Sequence, residues 1–184
     1  RKYRHPLPSV SRLLGEHKET QVRKYVMVVG CFLREGLVVS LTRFKQVDLL
    51  PQEILEAQVR ISAVDAILQE ETLPGRTMGE VFSACHRAYD KFGFANNEWH
   101  NHHQGGSTGY AGRTCKGAPG EAFRIIDPDW NKAVQEVLGE NVHFGMAFAW
   151  NPSAPGVKSE DTFILFPDGR KEIVTRTPDF PEID

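Results

Sequence analysis

The chain has 184 residues, 40% hydrophobic and 25% charged, which is enough to bury one core and predicts a single domain over residues 1–184. A formal charge of -2 gives it no electrostatic reason to seek nucleic acid or an anionic membrane, and no apolar run approaches the roughly 18 residues of a spanning helix. Three widely spaced cysteines, Cys31, Cys85 and Cys115, argue against a disulfide framework and a thiolate zinc site, so a reducing, cytoplasmic setting without a signal peptide is expected.

Residues 1 to 20 carry Pro6 and Pro8 and read as a loop with one possible helical turn at Val10 to Leu14. Tyr25 to Val29 and Leu37 to Phe44 are β-branched apolar runs on either side of Arg34-Glu35-Gly36, and together they predict a β-hairpin. From Pro51 the period changes. Ile54, Ala57, Ile61, Val64 and Leu68 share one face of a helix ending near Glu71, with Pro51 suited to its first position.

Thr77 and Glu80 form a capping box for a second helix with the stripe Met78, Val81, Phe82, Cys85, Tyr89 and Phe92, closed by Gly93. Cys85 lies in the stripe and reads as core. Residues 94 to 103 are expected to be extended and 104 to 120 irregular. A short helix is expected over Asp129 to Leu138, a strand over Val142 to Trp150, and a hairpin from Thr162–Phe166 and Lys171–Thr175 across Pro167-Asp168-Gly169. Helices set between two groups of strands predict an α+β layer architecture, the helices covering one face of a curved sheet.

The stretch Glu98 to Thr114 concentrates histidine and glycine as no other part of the chain does. On an extended strand Glu98, His100 and His102 share a face, so they form a candidate mononuclear metal site. Gly105-Gly-Ser-Thr-Gly109 matches the spacing of a nucleophile elbow, but no apolar strand precedes it and no helix follows, so a tight turn explains it better. Arg43 and Arg113 could each hold a substrate carboxylate bidentately or serve as ordinary ion-pair partners.

Several stretches, in order, resemble the C-terminal "pita-bread" domain of the creatinase, Xaa-Pro aminopeptidase and methionine aminopeptidase family. They are Arg4-His-Pro-Leu-Pro-Ser9, Val39-Ser-Leu-Thr-Arg43, His102-His-Gln-Gly-Gly-Ser-Thr-Gly-Tyr110, Ala149-Trp-Asn-Pro152 and Ser159-Glu-Asp-Thr-Phe-Ile-Leu-Phe-Pro-Asp-Gly169. The resemblance runs along nearly the whole chain and implies a curved, mainly antiparallel sheet covered by helices. It also suggests that an N-terminal lobe and the first helix of that domain are missing.

The family's peptidases hold two metal ions with two aspartates, one histidine and two glutamates. Those positions fall here on Ser40, on Val29 or Gly30, on Gly106, on Asn151 and on Glu160, so only Glu160 is retained. One carboxylate cannot replace the hydration of two divalent cations, and the dinuclear centre is expected to be absent.

The resemblance implies two functions. The first is a metal-free hydrolase of a small amide, dipeptide or guanidino substrate, with His5, His102 and Glu160 as the acid/base set and Arg43, His103, Tyr110, Arg113 and Asn151 on the substrate side. The second is a non-catalytic module that uses the same cleft for a peptide or protein partner. A homodimer is compatible with either.

Overall fold

The structure, a computed structural model, describes residues 21–94, 97–108, 120–127, 129, 132–133, 136–137 and 145–177. It opens on a long hairpin. Strands β1 (Tyr25–Arg34) and β2 (Leu37–Gln46) pair antiparallel, with Arg34 opposite Leu37. The two turn residues, Glu35 and Gly36, both have positive φ, 51° and 90°, which matches the twist of the flanking strands. Both strands run further than the Tyr25–Val29 and Leu37–Phe44 runs predict, because the ladder continues through Gly30–Arg34 on β1 and through Lys45 and Gln46 on β2.

Helix α1 (Gln52–Glu71) starts with Pro51 at its N-cap and buries Ile61, Val64, Asp65 and Leu68. Helix α2 (Met78–Lys91) opens on the expected capping box: Glu80 N–H donates to Thr77 Oγ1, and Thr77 N–H donates to Glu80 Oε2 at 2.7 Å. The Thr77 N–H, and after it the Thr77 hydroxyl, hold the Glu80 carboxyl below its ordinary pKa. Its stripe, Met78, Val81, Phe82, Cys85 and Tyr89, is buried, and Gly93 takes the left-handed conformation just past its end.

A four-stranded antiparallel sheet follows in the order β3-β4-β7-β8, made of Gly105–Ser107, Met146–Trp150, Asp161–Leu165 and Lys171–Ile173. A separate small hairpin, β5 (Ser153–Ala154) and β6 (Val157–Lys158), leaves the end of β4. Side chains alternate along each strand, so Phe148 and Trp150 of β4 share a face, as do Phe163 and Leu165 of β7. All four join Ile61, Val64, Leu68, Met78, Val81, Cys85 and Tyr89 in one core, so α1 and α2 cover one face of the sheet as expected.

Burial of each large side chain contributes roughly 1.5–3 kcal/mol. Trp150 keeps its polar atom satisfied, donating from Nε1 to Thr72 Oγ1 at 2.8 Å, and the Thr72 hydroxyl donates in turn to Leu68 O.

Four points differ from expectation. Residues 98–101 form a 3-10 turn, not an extended strand, entered through Asn97 in the left-handed region. Residues 105–107 are a strand, because Gly105 can lie against β4 where a side chain would collide. The β5–β6 hairpin was not anticipated, its strands being too short to show a period. Of the expected 129–138 helix, residues 129, 132, 133, 136 and 137 are helical; the sequence sets Trp130, Val134, Val137 and Leu138 on one apolar face, yet Val137 is exposed.

Candidate functional site

The site is built where β2 meets the entry to β7. Thr42 N–H donates to Glu160 O at 3.1 Å, and Ser40 N–H donates to Thr162 Oγ1, whose own O–H returns to Ser40 O. These bonds fix Glu160 beside β2. Its carboxylate is buried and accepts the Thr42 hydroxyl at 2.6 Å on Oε2, Asn151 Nδ2 at 3.5 Å on Oε1, and lies 3.4 Å from Lys158 Nζ. Burial pulls the Lys158 ammonium below its ordinary pKa, and the Glu160 carboxylate partly restores it.

Behind this pair, Asp65 projects from the buried face of α1 and accepts the Ser159 hydroxyl at 2.6 Å. Burial pushes the Asp65 carboxyl up to about 7, the Ser159 and Gln69 hydrogen bonds oppose that rise, and the charges of Asp161 and Glu160 add to it. Two acceptors in this cluster, Asp65 Oδ1 and Asn151 Oδ1, are buried with no hydrogen-bond partner.

Arg43 stands next to the cluster and is fully spent. Nε donates to Thr177 Oγ1, one terminal nitrogen donates to Thr42 O and Glu160 O, and the other donates to Asp161 Oδ1 and Thr175 O. A guanidinium has five N–H donors, and all five have protein acceptors. Its expected role on a substrate carboxylate gives way to that of a clamp joining β2 to β7 and the segment after β8.

The structure brings Asn151, Glu160 and Arg43 together, and it ties the histidine-rich turn to them through Gln104. Gln104 is 2% exposed, receives Tyr89 O–H and Cys85 S–H on Oε1, and donates from Nε2 to Trp99 O and His102 O. Its carbonyl accepts Asn151 N–H. Burial raises the Cys85 thiol to about 12 and raises Tyr89 as well, so both stay neutral donors.

His102 and His103 stack on each other with centroids 4.4 Å apart, and His102 Nδ1 contacts His103 O. Glu98 accepts from Asn101, while His100 stacks on Trp99, which stacks in turn on His86. The 3-10 turn thus sends Glu98, His100 and His102 to different partners. Among the described residues no group of three or more His, Cys, Asp or Glu side chains is placed to hold a metal ion. His5, Tyr110 and Arg113 lie outside the described residues.

Sequence reasoning missed Lys158, Asp65, Ser159, Thr42 and Gln104. Asp65 did leave a signal, a carboxylate next to Val64 and one turn after Ile61 on the apolar face of α1. The others left none: Thr42, Ser159 and Gln104 have partners 118, 94 and 15 residues away in sequence, and Lys158, though only two residues from Glu160, gave no sign that both would be buried.

No described protein family and no curated protein matches the sequence. Solved structures match in shape. The prolidase from Thermococcus sibiricus superposes with a TM-score of 0.63 at 15% identity, over 91% of this chain and 42% of that one. The prolidase from Pyrococcus horikoshii OT3 gives 0.63 at 14% identity, over 89% and 44%. The N-terminal domain of the FACT complex subunit SPT16 from Cicer arietinum gives 0.52 at 13% identity, over 83% and 35%. This chain therefore spans under half the length of these structures. At such identity the likeness speaks to fold, and fold does not fix function. The α+β chain has the pita-bread fold of the prolidases.

Proposed function

We propose that this domain is a non-hydrolytic binding module of the pita-bread fold, which takes a small peptide, amide or guanidino ligand beside Asn151 and Glu160 without a divalent metal pair. The observation that carries the reading is the occupancy of Glu160. A general base or water-orienting carboxylate needs a free oxygen toward its substrate. Here Oε2 is held by Thr42 and Lys158, and Oε1 faces Asn151.

The metal chemistry of the resembled peptidases does not fit these donors. Ser40 offers a hydroxyl, Gly106 nothing, Asn151 an amide, and the remaining carboxylate already faces an ammonium. Two divalent cations demand several anionic oxygens. Asn151 Oδ1, by contrast, is a buried acceptor without a partner, and a ligand N–H of the amide or guanidino class would complete it.

Calorimetric titration with Xaa-Pro dipeptides and guanidino compounds, run beside an assay for released amine, tests this. Binding is expected for at least one compound, weakened about tenfold or more by Asn151→Ala, a change of roughly 1.4 kcal/mol, with no turnover. Turnover that vanishes in Glu160→Gln would establish the metal-free hydrolase instead.

A further inference from the structure

Where β4 runs on into β5, one carboxylate stands between an amine and an amide. Trp150 of β4 pairs with Asp161 of β7, and Ser153 of β5 pairs with Lys158 of β6. Between these pairs Ser159 N–H donates to Pro152 O, so the same register runs through and sets Asn151 opposite Glu160. Opposed side chains share a face, as do residues two apart on one strand. Asn151, Glu160 and Lys158 are therefore neighbours on one face. Lys158 is diagonal to Asn151, a spacing of about 7–8 Å that a long side chain spans.

All three side chains are buried. Lys158 Nζ lies 3.4 Å from Glu160 Oε2, and Asn151 Nδ2 donates to Glu160 Oε1 at 3.5 Å. One carboxylate oxygen thus faces a nucleophile and the other faces the nitrogen of an amide. Two neutral groups cost less to bury than two charges, which favours transfer of a proton from the ammonium to the carboxylate and leaves a free amine beside the amide.

We propose that Lys158 and Asn151 join in an intramolecular amide bond, Nζ to Cγ, with Glu160 as the proton carrier and ammonia as the leaving group. The Nζ lone pair attacks Cγ, and the Cγ–Nδ2 bond breaks with its electron pair on Nδ2. Glu160 takes one proton from Nζ on Oε2 and gives its own from Oε1 to Nδ2, so the nitrogen leaves as ammonia and the acid is restored. No oxidant or cofactor is consumed.

Because Nδ2 is protonated as the new bond forms, no full charge gathers on Asn151 Oδ1, which has no hydrogen-bond partner. Holding amine and amide together supplies an effective concentration on the order of 10⁵–10⁸ M, and burial keeps out the water that would hydrolyse the amide instead. Asparagine usually loses ammonia by attack of the next backbone nitrogen, but Pro152 has no N–H to make that ring. The product keeps the Asn151 carbonyl oxygen, so a ligand N–H can still bond there, and the crosslink stands or falls independently of ligand binding.

Intact-mass spectrometry of the denatured whole chain tests the proposal. Wild type is expected about 17 Da, one ammonia, below the mass of its sequence. Trypsin cuts after a free lysine, so digestion should pass over Lys158 and leave residues 133–170 as one peptide that carries the deficit, with fragmentation joining residue 151 to 158. Lys158→Met, Asn151→Ala and Glu160→Gln should each appear at full sequence mass.

Wild type at full mass, with cleavage after Lys158, would overturn the proposal. So would a deficit that persists in Lys158→Met or maps to other residues. A deficit of about 18 Da would mean loss of water and join Lys158 to a carboxylate such as Asp65 instead, and a deficit kept in Glu160→Gln would overturn the role of that carboxylate. Should Glu160→Gln fail to fold, the wild-type peptide decides, because the bond between 151 and 158 is read there directly.

Discussion

The ammonium of Lys158 lies 3.4 Å from Oε2 of Glu160, and the two side chains are only 6% and 5% exposed. A buried pair of this kind adds little net stability, because desolvation offsets attraction, yet removing one partner strands the other. Lys158→Met and Glu160→Gln should each destabilise the fold by about 3 kcal/mol in denaturant unfolding. The double variant should lose clearly less than the sum of the two, and strict additivity would mean that the pair is not coupled.

Asp65 gives the fold a pH dependence of definite sign. Its carboxyl titrates at about 7 when folded, against 3.8 in the open chain, so between those values the folded state binds the extra proton. Stability from this group is complete below about pH 4, declines as pH rises to about 7, and is flat above, a swing on the order of 4 kcal/mol. Asp65→Asn should flatten the profile and stabilise the protein at pH 8. A variant less stable than wild type at pH 8 would show that the ionised carboxylate has a favourable partner there.

Gly105 is the glycine of the histidine-rich stretch that backbone geometry requires. Its φ is 86°, and a Cβ would sit 2.1 Å from the Ala149 carbonyl oxygen and 3.0 Å from Trp150 Cα. Gly105→Ala should cost about 3 kcal/mol or more, since the β3–β4 register must open to admit the methyl group. Substitution of Gly36, whose φ of 90° still favours glycine but which has open space around it, should cost less, about 1–2 kcal/mol.

Gln104 bonds four groups while almost wholly buried, so its removal leaves several polar atoms unpaired. Gln104→Ala is expected to destabilise by roughly 2–4 kcal/mol and to raise amide exchange across residues 98–103. Unchanged exchange there would show that the turn is held by the His86, Trp99 and His100 stack alone.

Metal dependence is the fifth axis to measure. Elemental analysis of protein made without an affinity tag should find no stoichiometric transition metal, and excess Mn²⁺ or Zn²⁺ should leave the melting midpoint within about 1 °C. A saturable rise of several degrees, lost in Glu160→Gln, would restore a metal to the cleft.

The sequence by itself determined the elements whose signals are local. The hairpin turn at Glu35-Gly36, the capping box at Thr77 and Glu80, the stripes of α1 and α2 and the Pro167-Asp168-Gly169 turn all depend on neighbours within a few residues. Motif order along the chain was enough to point to the pita-bread fold. Tertiary structure alone decided the site. The periodicity of residues 98–103 is compatible with a strand, but Gln104, anchored to Tyr89 and Asn151, fixes the preceding carbonyls in a 3-10 turn and scatters Glu98, His100 and His102. Likewise nothing near Glu160 in sequence announces Thr42, and nothing near Arg43 announces Thr175, because those partners meet only when β2 lies along β7. Burial, which turns Asp65 and Lys158 from ordinary charges into strained ones, is a property of the packed core and is written in no single segment of the chain.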